Sequence, residues 1–147
     1  MSMSISTALA KGLLDTGSLK DMLTGMKLKL YGGAVPASAD ASLGAATLLS
    51  TITVDDAGTA LSFEANAVAN VIQKNSSETW QGTNVATGTA TFCRLELDSD
   101  TGGSTTTEVR LQGDVGVAGR FLNISSTLLT SGAVQGIDNF SIAMPLS

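Results

Sequence analysis

Histidine is absent from this chain, and cysteine occurs once, at Cys93. Ser-His-Asp and Cys-His catalysis within the chain is thereby excluded, because each needs an imidazole to carry the proton. Zinc sites built from several cysteines or histidines are excluded as well, and so is an intrachain disulfide. Cys93 lies in an apolar β-like run, where a thiol serves as a small buried side chain. Basic residues are scarce: eight Lys plus Arg stand against thirteen Asp plus Glu, a net charge of −5. Nucleic-acid binding rests on cations that neutralise phosphates. The densest basic pair, Lys27 and Lys29, makes a poor backbone track, so direct DNA or RNA binding is not expected. Long hydrophobic runs are missing too. Uncharged stretches such as Val85 to Cys93 are too short and hydroxyl-rich to cross a bilayer, and no membrane contact is expected. No basic, signal-like opening precedes an apolar core, so assembly in a reducing cytoplasm is expected.

Charge of either sign is thin. Charged residues make up 14% of the chain, where an ordinary soluble domain has about a quarter. Ser and Thr take their place, as in Ser104-Thr105-Thr106-Thr107 and at Thr87, Thr89 and Thr91. A monomer needs a more charged surface for solubility, so much of this surface is expected to face other chains. A hydroxyl-coated, solvated sandwich is the alternative. The 147 residues suffice for one ordinary domain, without two separate cores.

Two periodicities divide the chain. Ile5, Ala8, Leu9, Leu13 and Leu14 recur at helical spacing, as do Leu19, Met22, Leu23 and Met26. Ser18 is a candidate cap, with Asp21 three positions on. Gly12 and Gly17 break any single long helix into two short pieces. Residues 1–26 are therefore read as an N-terminal arm with short helices, and residues 27–147 as an antiparallel β domain. The arm either covers an open end of that domain or lies on a neighbouring subunit, and it is expected to contribute to assembly.

From Met26 the period becomes two. Leu28 and Leu30 share one side of a strand and Lys27, Lys29 and Tyr31 the other, which predicts half burial. Gly32-Gly33 ends it. A small-residue loop with Pro36 then runs to Ala46 without long apolar anchors. Its length favours a contact role or a clamp along the surface. Thr47 to Val54 reads as a strand turned by Asp55-Asp56-Ala57-Gly58. Leu61 to Ala65 alternates, Val68 to Ile72 is strand-like, and Trp80 is expected over the core. Val85 to Leu97 is the clearest strand. One of its faces carries Phe92, Arg94 and Glu96, the other Cys93, Leu95 and Leu97. Asp98 to Gly103 reads as a hairpin turn, followed by a strand from Thr105 to Leu111. Gln112-Gly113-Asp114 reads as punctuation before Val115 to Ser125. Leu128-Leu129, Val134 and Phe140 to Met144 complete the set. Phe92 and Phe121 are expected in the packed core or a tight subunit seam. The fold class is mainly β: an antiparallel sandwich, jelly roll or small barrel, with a short N-terminal helical arm.

Carboxylates are the remaining route to chemistry. Asp55, Asp56, Glu96, Asp98, Asp100 and Glu108 are the candidates for a glycosidase-like pair, but such a cleft needs aromatic groups to hold sugar. The chain has one Trp, one Tyr and four Phe, and most of these acids sit where Asp accepts local turn hydrogen bonds. Asp98-x-Asp100 followed by Gly103 partly matches a calcium loop, yet the fifth position is Gly102 and the twelfth Val109, with Glu108 one residue short. No phosphate loop with its Lys is present. Arg94, Arg110 and Arg120 lie near Glu96, Glu108 and Asp114. They either lock strands or subunits through two-pronged contacts or form surface pairs worth about 0–1 kcal/mol. At least one of them is expected to meet another chain. No catalytic, cofactor-binding or metal-ligating residue is assigned, and neither an enzyme activity nor a cofactor is expected.

The ordered segments Leu28-Lys29-Leu30-Tyr31-Gly32-Gly33, Pro36-Ala37-Ser38-Ala39-Asp40-Ala41 and Leu43-Gly44-Ala45-Ala46-Thr47-Leu48-Leu49 resemble small structural proteins of tailed bacteriophages. Thr79-Trp80-Gln81-Gly82, Ala86 to Phe92, Gln112 to Gly116 and Asn123 to Ser126 continue the resemblance, which spans most of residues 28 to 144. It implies a virion component, assembled in the host cytoplasm, and supplies no catalytic residue. The favoured component is a capsid decoration or cement protein, a small β module that bridges major capsid subunits, often as a homotrimer. The major capsid protein or other virion proteins are the implied partners. A neck, tail or fibre-attachment protein is the nearer alternative, and a carbohydrate-binding module the more distant one.

Overall fold

The computed structural model describes residues 3–146. The arm begins with a short strand, β1 (Met3–Ile5), and continues into α1 (Thr7–Asp15) and α2 (Leu19–Met22). Ser6 and Ser18 cap the two helices by accepting from the N–H groups of Leu9 and Asp21, which supplies partners for otherwise orphaned donors. Gly17 lies at the break, as its sequence position suggests. Gly12 does not break anything: α1 runs through it, and a Cβ there would lie 2.2 Å from Met22 Cε. The missing side chain lets the two helices pack. Leu9, Leu23 and Met26 are buried in the main core, and β1 pairs with a strand of the β domain. The described part of the arm thus folds onto its own chain.

The strands that follow are β2 (Lys27–Gly32), β3 (Thr47–Val54), β4 (Val71–Gln73), β5 (Trp80–Thr83), β6 (Gly88–Glu96) and β7 (Leu111–Gly116). Four short ones complete the chain: β8 (Leu122–Asn123), β9 (Leu128–Leu129), β10 (Val134–Ile137) and β11 (Ser141–Ala143). The main sheet has the order β1-β7-β6-β2-β3-β5-β10, with β8 on β7 and β9 on β6, while β4 and β11 form a separate pair. Pairing is antiparallel except between β7 and β8. The fold is therefore mainly β, an antiparallel multi-stranded sheet with a short N-terminal helical segment.

Local chemistry explains most boundaries. Asp55 and Asp56 both have φ near +55°, and Ala57 N–H donates to Val54 C=O, as in a turn of the primed type where Asp is tolerated. Leu61 and Phe63 are buried, but this alternating segment makes only an isolated bridge to Lys74. Two expectations fail around β7. Residues 97–110 form no strand, so the connection from β6 is a long loop instead of a hairpin turn. Gln112-Gly113-Asp114 lies inside β7, and a Cβ on Gly113 would meet Phe121 Cδ2 at 2.1 Å. The glycine makes room for an aromatic ring and punctuates nothing.

One face of the sheet is hydrocarbon. Leu28 and Leu30 of β2, Ile52 of β3, Cys93 and Leu95 of β6 and Leu111 of β7 belong to the buried cluster. Trp80, Phe63, Phe140 and Phe121 form an aromatic group at contact distances of 5.4–6.2 Å. Trp80 is 1% exposed and stands in the core.

Candidate functional site

The opposite face of the same sheet is buried too. Strand register places Lys29, Arg94, Gln112 and Ser4 in one row across β2, β6, β7 and β1. Tyr31, Phe92 and Asp114 form the next row. Alternation in β2 predicts half burial, yet Lys29 and Tyr31 are both buried, and Arg94 and Glu96 are 0% exposed. Tyr31 stacks on Phe92 with ring centres 5.1 Å apart, so the chain's six aromatic side chains fall into two packed groups, with Phe121 half-buried.

What covers this face is the small-residue loop, residues 34–46. Arg94 Nη2 donates to the carbonyls of Ala41 at 2.7 Å and Ser38 at 3.4 Å. Arg110 Nη1 donates to Ala39 C=O at 3.0 Å, and Gln112 Nε2 to Pro36 C=O at 2.9 Å. At its edges the loop is tied by Thr7 N–H donating to Asp40 Oδ1, by Thr7 Oγ1 donating to Asp40 Oδ2, and by Leu43 N–H donating to Gly102 C=O. The expectation of a clamp along the surface describes this strap well. Its residues are small because the backbone itself must reach the guanidinium groups.

Beneath the strap, three cations meet two carboxylates. Arg110 holds Asp100 by two hydrogen bonds of 2.6 and 2.7 Å, the two-pronged geometry that guanidinium favours. Glu96 Oε1 accepts from the Tyr31 hydroxyl at 2.8 Å and lies 3.3 Å from Lys29 Nζ. Arg94 Nε donates to Gln112 Oε1 at 2.9 Å. The excess positive charge faces the strap carbonyls, whose dipoles offset it. Arg94 Nη1 and Glu96 Oε2 are buried without a hydrogen-bond partner among the described residues. Burial opposes ionisation of Asp100, but its bonds from Arg110 outweigh that and hold its carboxyl below the ordinary range. Burial, together with the Glu96 charge, pushes the Tyr31 phenol up. Burial and the nearby Arg110 charge lower Arg94, while the hydrogen bond to Asp100 raises Arg110.

Of the six carboxylates named from sequence, five take structural roles, and Glu108 stands half-buried in the loop before β7. Asp55 and Asp56 make a turn, with Asp56 accepting from Thr83 Oγ1. Asp98 pairs with Lys27 at 3.0 Å, and Asp100 also accepts from Gly102 N–H. Asp98 and Asp100 thus do not jointly frame a calcium loop, and no group of three metal-ligating acids or cysteines occurs among the described residues. Arg94 and Arg110 are internal ties, which selects the locking alternative over surface pairing for these two. Arg120 is the exposed one, 3.3 Å from Asp114. Burial pushes the Cys93 thiol up to about 12, so it is a packing group.

Open grooves lie elsewhere. A polar one of about 530 Å³ passes Gln73, Lys74, Asn123 and Asp138, with Phe140 at its wall. An apolar one of about 500 Å³ lies between α2 and the β4–β11 pair, lined by Leu19, Ala67, Ile72, Ile142 and Met144. No helix among the described residues is long and apolar enough to cross a membrane. No protein-family model matches the chain, and no curated protein or solved structure is significantly similar to it.

Proposed function

We propose that this chain is a structural component of a tailed-phage particle, a capsid decoration or cement protein that bridges major capsid subunits. The observation that carries the reading is an inversion of polarity. Lys29, Arg94, Glu96, Asp100 and Arg110 are turned inward, while Leu14, Val68, Val85, Val117, Leu128 and Val134 stand exposed. A single exposed valine is ordinary. A sparsely charged chain that also buries five of its charges leaves a surface suited to protein neighbours. Leu14, 88% exposed, and the less exposed Met3 and Ile5 are apolar side chains of the arm open to a neighbour, while Leu9 and Leu23 serve the core. The apolar groove beside α2 adds a second contact area. Each patch is modest, and attachment at several equivalent points multiplies weak contacts.

Sugar binding is less well supported. Trp80 stands in the core, and of the other rings only the half-buried Phe121 and the edge of Phe140 reach an open groove. Trp80→Ala would report on folding instead of glycan retention.

Purifying particles and counting copies tests the proposal. Cement predicts on the order of hundreds of copies on formed shells, whereas a neck or tail ring predicts about six to a few dozen, because a closed ring repeats only a few times. Absence from purified particles would overturn both.

A further inference from the structure

We propose that β1, an open edge of the main sheet, is the seat of a second copy of this chain. The two β1 strands pair antiparallel about a two-fold axis at Ser4, with Met3 of each copy opposite Ile5 of the other. The inference goes beyond the particle reading above and does not rest on it.

The first support is an unfinished row of the core. Strand register lines up Ile52, Leu28, Leu95, Leu111 and Ile5 across β3, β2, β6, β7 and β1. Side chains paired in this way share one face of the sheet, here the hydrocarbon face. The first four are at most 1% exposed, whereas Ile5 is 38% exposed, and Met3 on the same face equally so. The core thus runs out at the rim of the sheet with hydrocarbon still open to water.

The main chain is open at the same place. Ser6 N–H donates to Arg110 C=O, so the peptide groups of Ser6 and, two residues back, of Ser4 point to β7. Antiparallel alternation turns those of Met3 and Ile5 outward, where no partner meets them among the described residues. Such an edge is a template for another strand, and folded proteins blunt it with charge, proline or a bulge. Met3-Ser4-Ile5 has no charge or proline, and its register on β7 is unbroken. The far edge, β10, is treated differently. There Asn84 N–H donates to Ala133 C=O, so Val134 and Gly136 face outward, and Gln135 Nε2 already occupies Gly136 C=O at 2.8 Å.

The strand's own sequence selects the occupant. Pairing about Ser4 sets Met3 against Ile5 twice over, and each of these pairs exchanges both of its main-chain hydrogen bonds. The open Ile5 row of each copy then continues into Met3 of the other. A strand with apolar residues at both outward positions and a small one between them is complementary to itself, and such an isologous contact closes at two copies. A charge-free edge is also where two chains that each carry −5 can meet without repulsion.

Sedimentation of the intact full-length protein reads the stoichiometry, and a cysteine pair reads the seam. The pairing predicts a concentration-dependent dimer. Full-length Met3→Cys and Ile5→Cys variants are mixed and gently oxidised; buried Cys93 does not compete. Facing residues of this kind have Cα atoms about 5.5 Å apart, within the span of a disulfide. A mixed 3–5 disulfide about tenfold or more over either like-with-like product is expected, because docking raises the effective concentration of that pair alone. The mass of a single chain at every concentration overturns the proposal. A dimer whose mixed disulfide is no more abundant than the like-with-like products overturns it too, since the copies then meet elsewhere. Neither readout involves copy counts in particles, so the failure of this seam and the failure of the particle reading are separate results.

Discussion

Leu30 and Tyr31 are neighbours on β2, yet they point into two different kinds of interior. On the Leu30 side the sheet buries hydrocarbon against hydrocarbon. On the Tyr31 side it buries charge beneath a strap of small residues. Both faces are closed to solvent, but they resist opening for different reasons. Parting the first exposes apolar area, at about 25 cal/mol per Å². The strap side carries arginine, lysine and carboxylate groups, for which water is a good substitute partner, alongside the stacked Tyr31–Phe92 pair. The charged face is therefore expected to open locally, well below the free energy of global unfolding. A buried ion pair is weak evidence for stability, and here its plainer consequence is a defined seat for one segment.

Substitutions at the two faces should separate these behaviours. The largest losses belong to the hydrocarbon face: Trp80→Ala should cost about 3–5 kcal/mol and Leu30→Ala about 2–5 kcal/mol in denaturant unfolding. Arg110→Met strands Asp100, a loss of about 3–5 kcal/mol where such a site stays dry. Because the strap can lift and admit water, the measured loss should be nearer 1–3 kcal/mol, with faster amide exchange confined to the strap. A loss equal to that of Trp80→Ala would break the distinction.

Acid should weaken the charged face through Asp100. The folded Asp100 carboxyl binds a proton less readily than the unfolded one, so the unfolded chain takes up more protons and stability rises with pH. That contribution is complete well above the unfolded value of about 3.9 and is lost as pH falls through the lower folded value. Stability measured across this window should decline, and Asp100→Asn should remove that part of the decline. The smallest expected effect is Tyr31→Phe, about 1 kcal/mol, because Glu96 keeps Lys29 as a partner while one hydrogen bond is lost.

Much of the fold is legible locally. β3 spans the expected Thr47–Val54, β2 adds only Gly32 to the expected strand, and Ser18 caps α2. These features depend on alternation and capping, which short windows contain. The strap site is only half legible. Alternation separates Lys27, Lys29 and Tyr31 from the leucines, but the covering of that face depends on contacts between residues 53 to 76 positions apart. One clue was present: Phe92, Arg94 and Glu96 share a face, and a phenyl ring among charges suits a covered face better than a solvated one. The run from Asp98 to Leu111 misleads because Asp and Gly mark turns in loops of any length. Here Asp100 serves Arg110 and Gly102 together.

Hydrogen exchange of the intact protein, resolved by residue, tests the contrast between the two faces most directly. The amides of Ala41, Leu43 and Ala46, and that of Thr105, which donates to Asp40 C=O, should exchange together through a local opening, orders of magnitude faster than those of Leu30, Cys93 and Leu95. Strap amides that exchange only as slowly as the core strands, through global unfolding, would contradict the account.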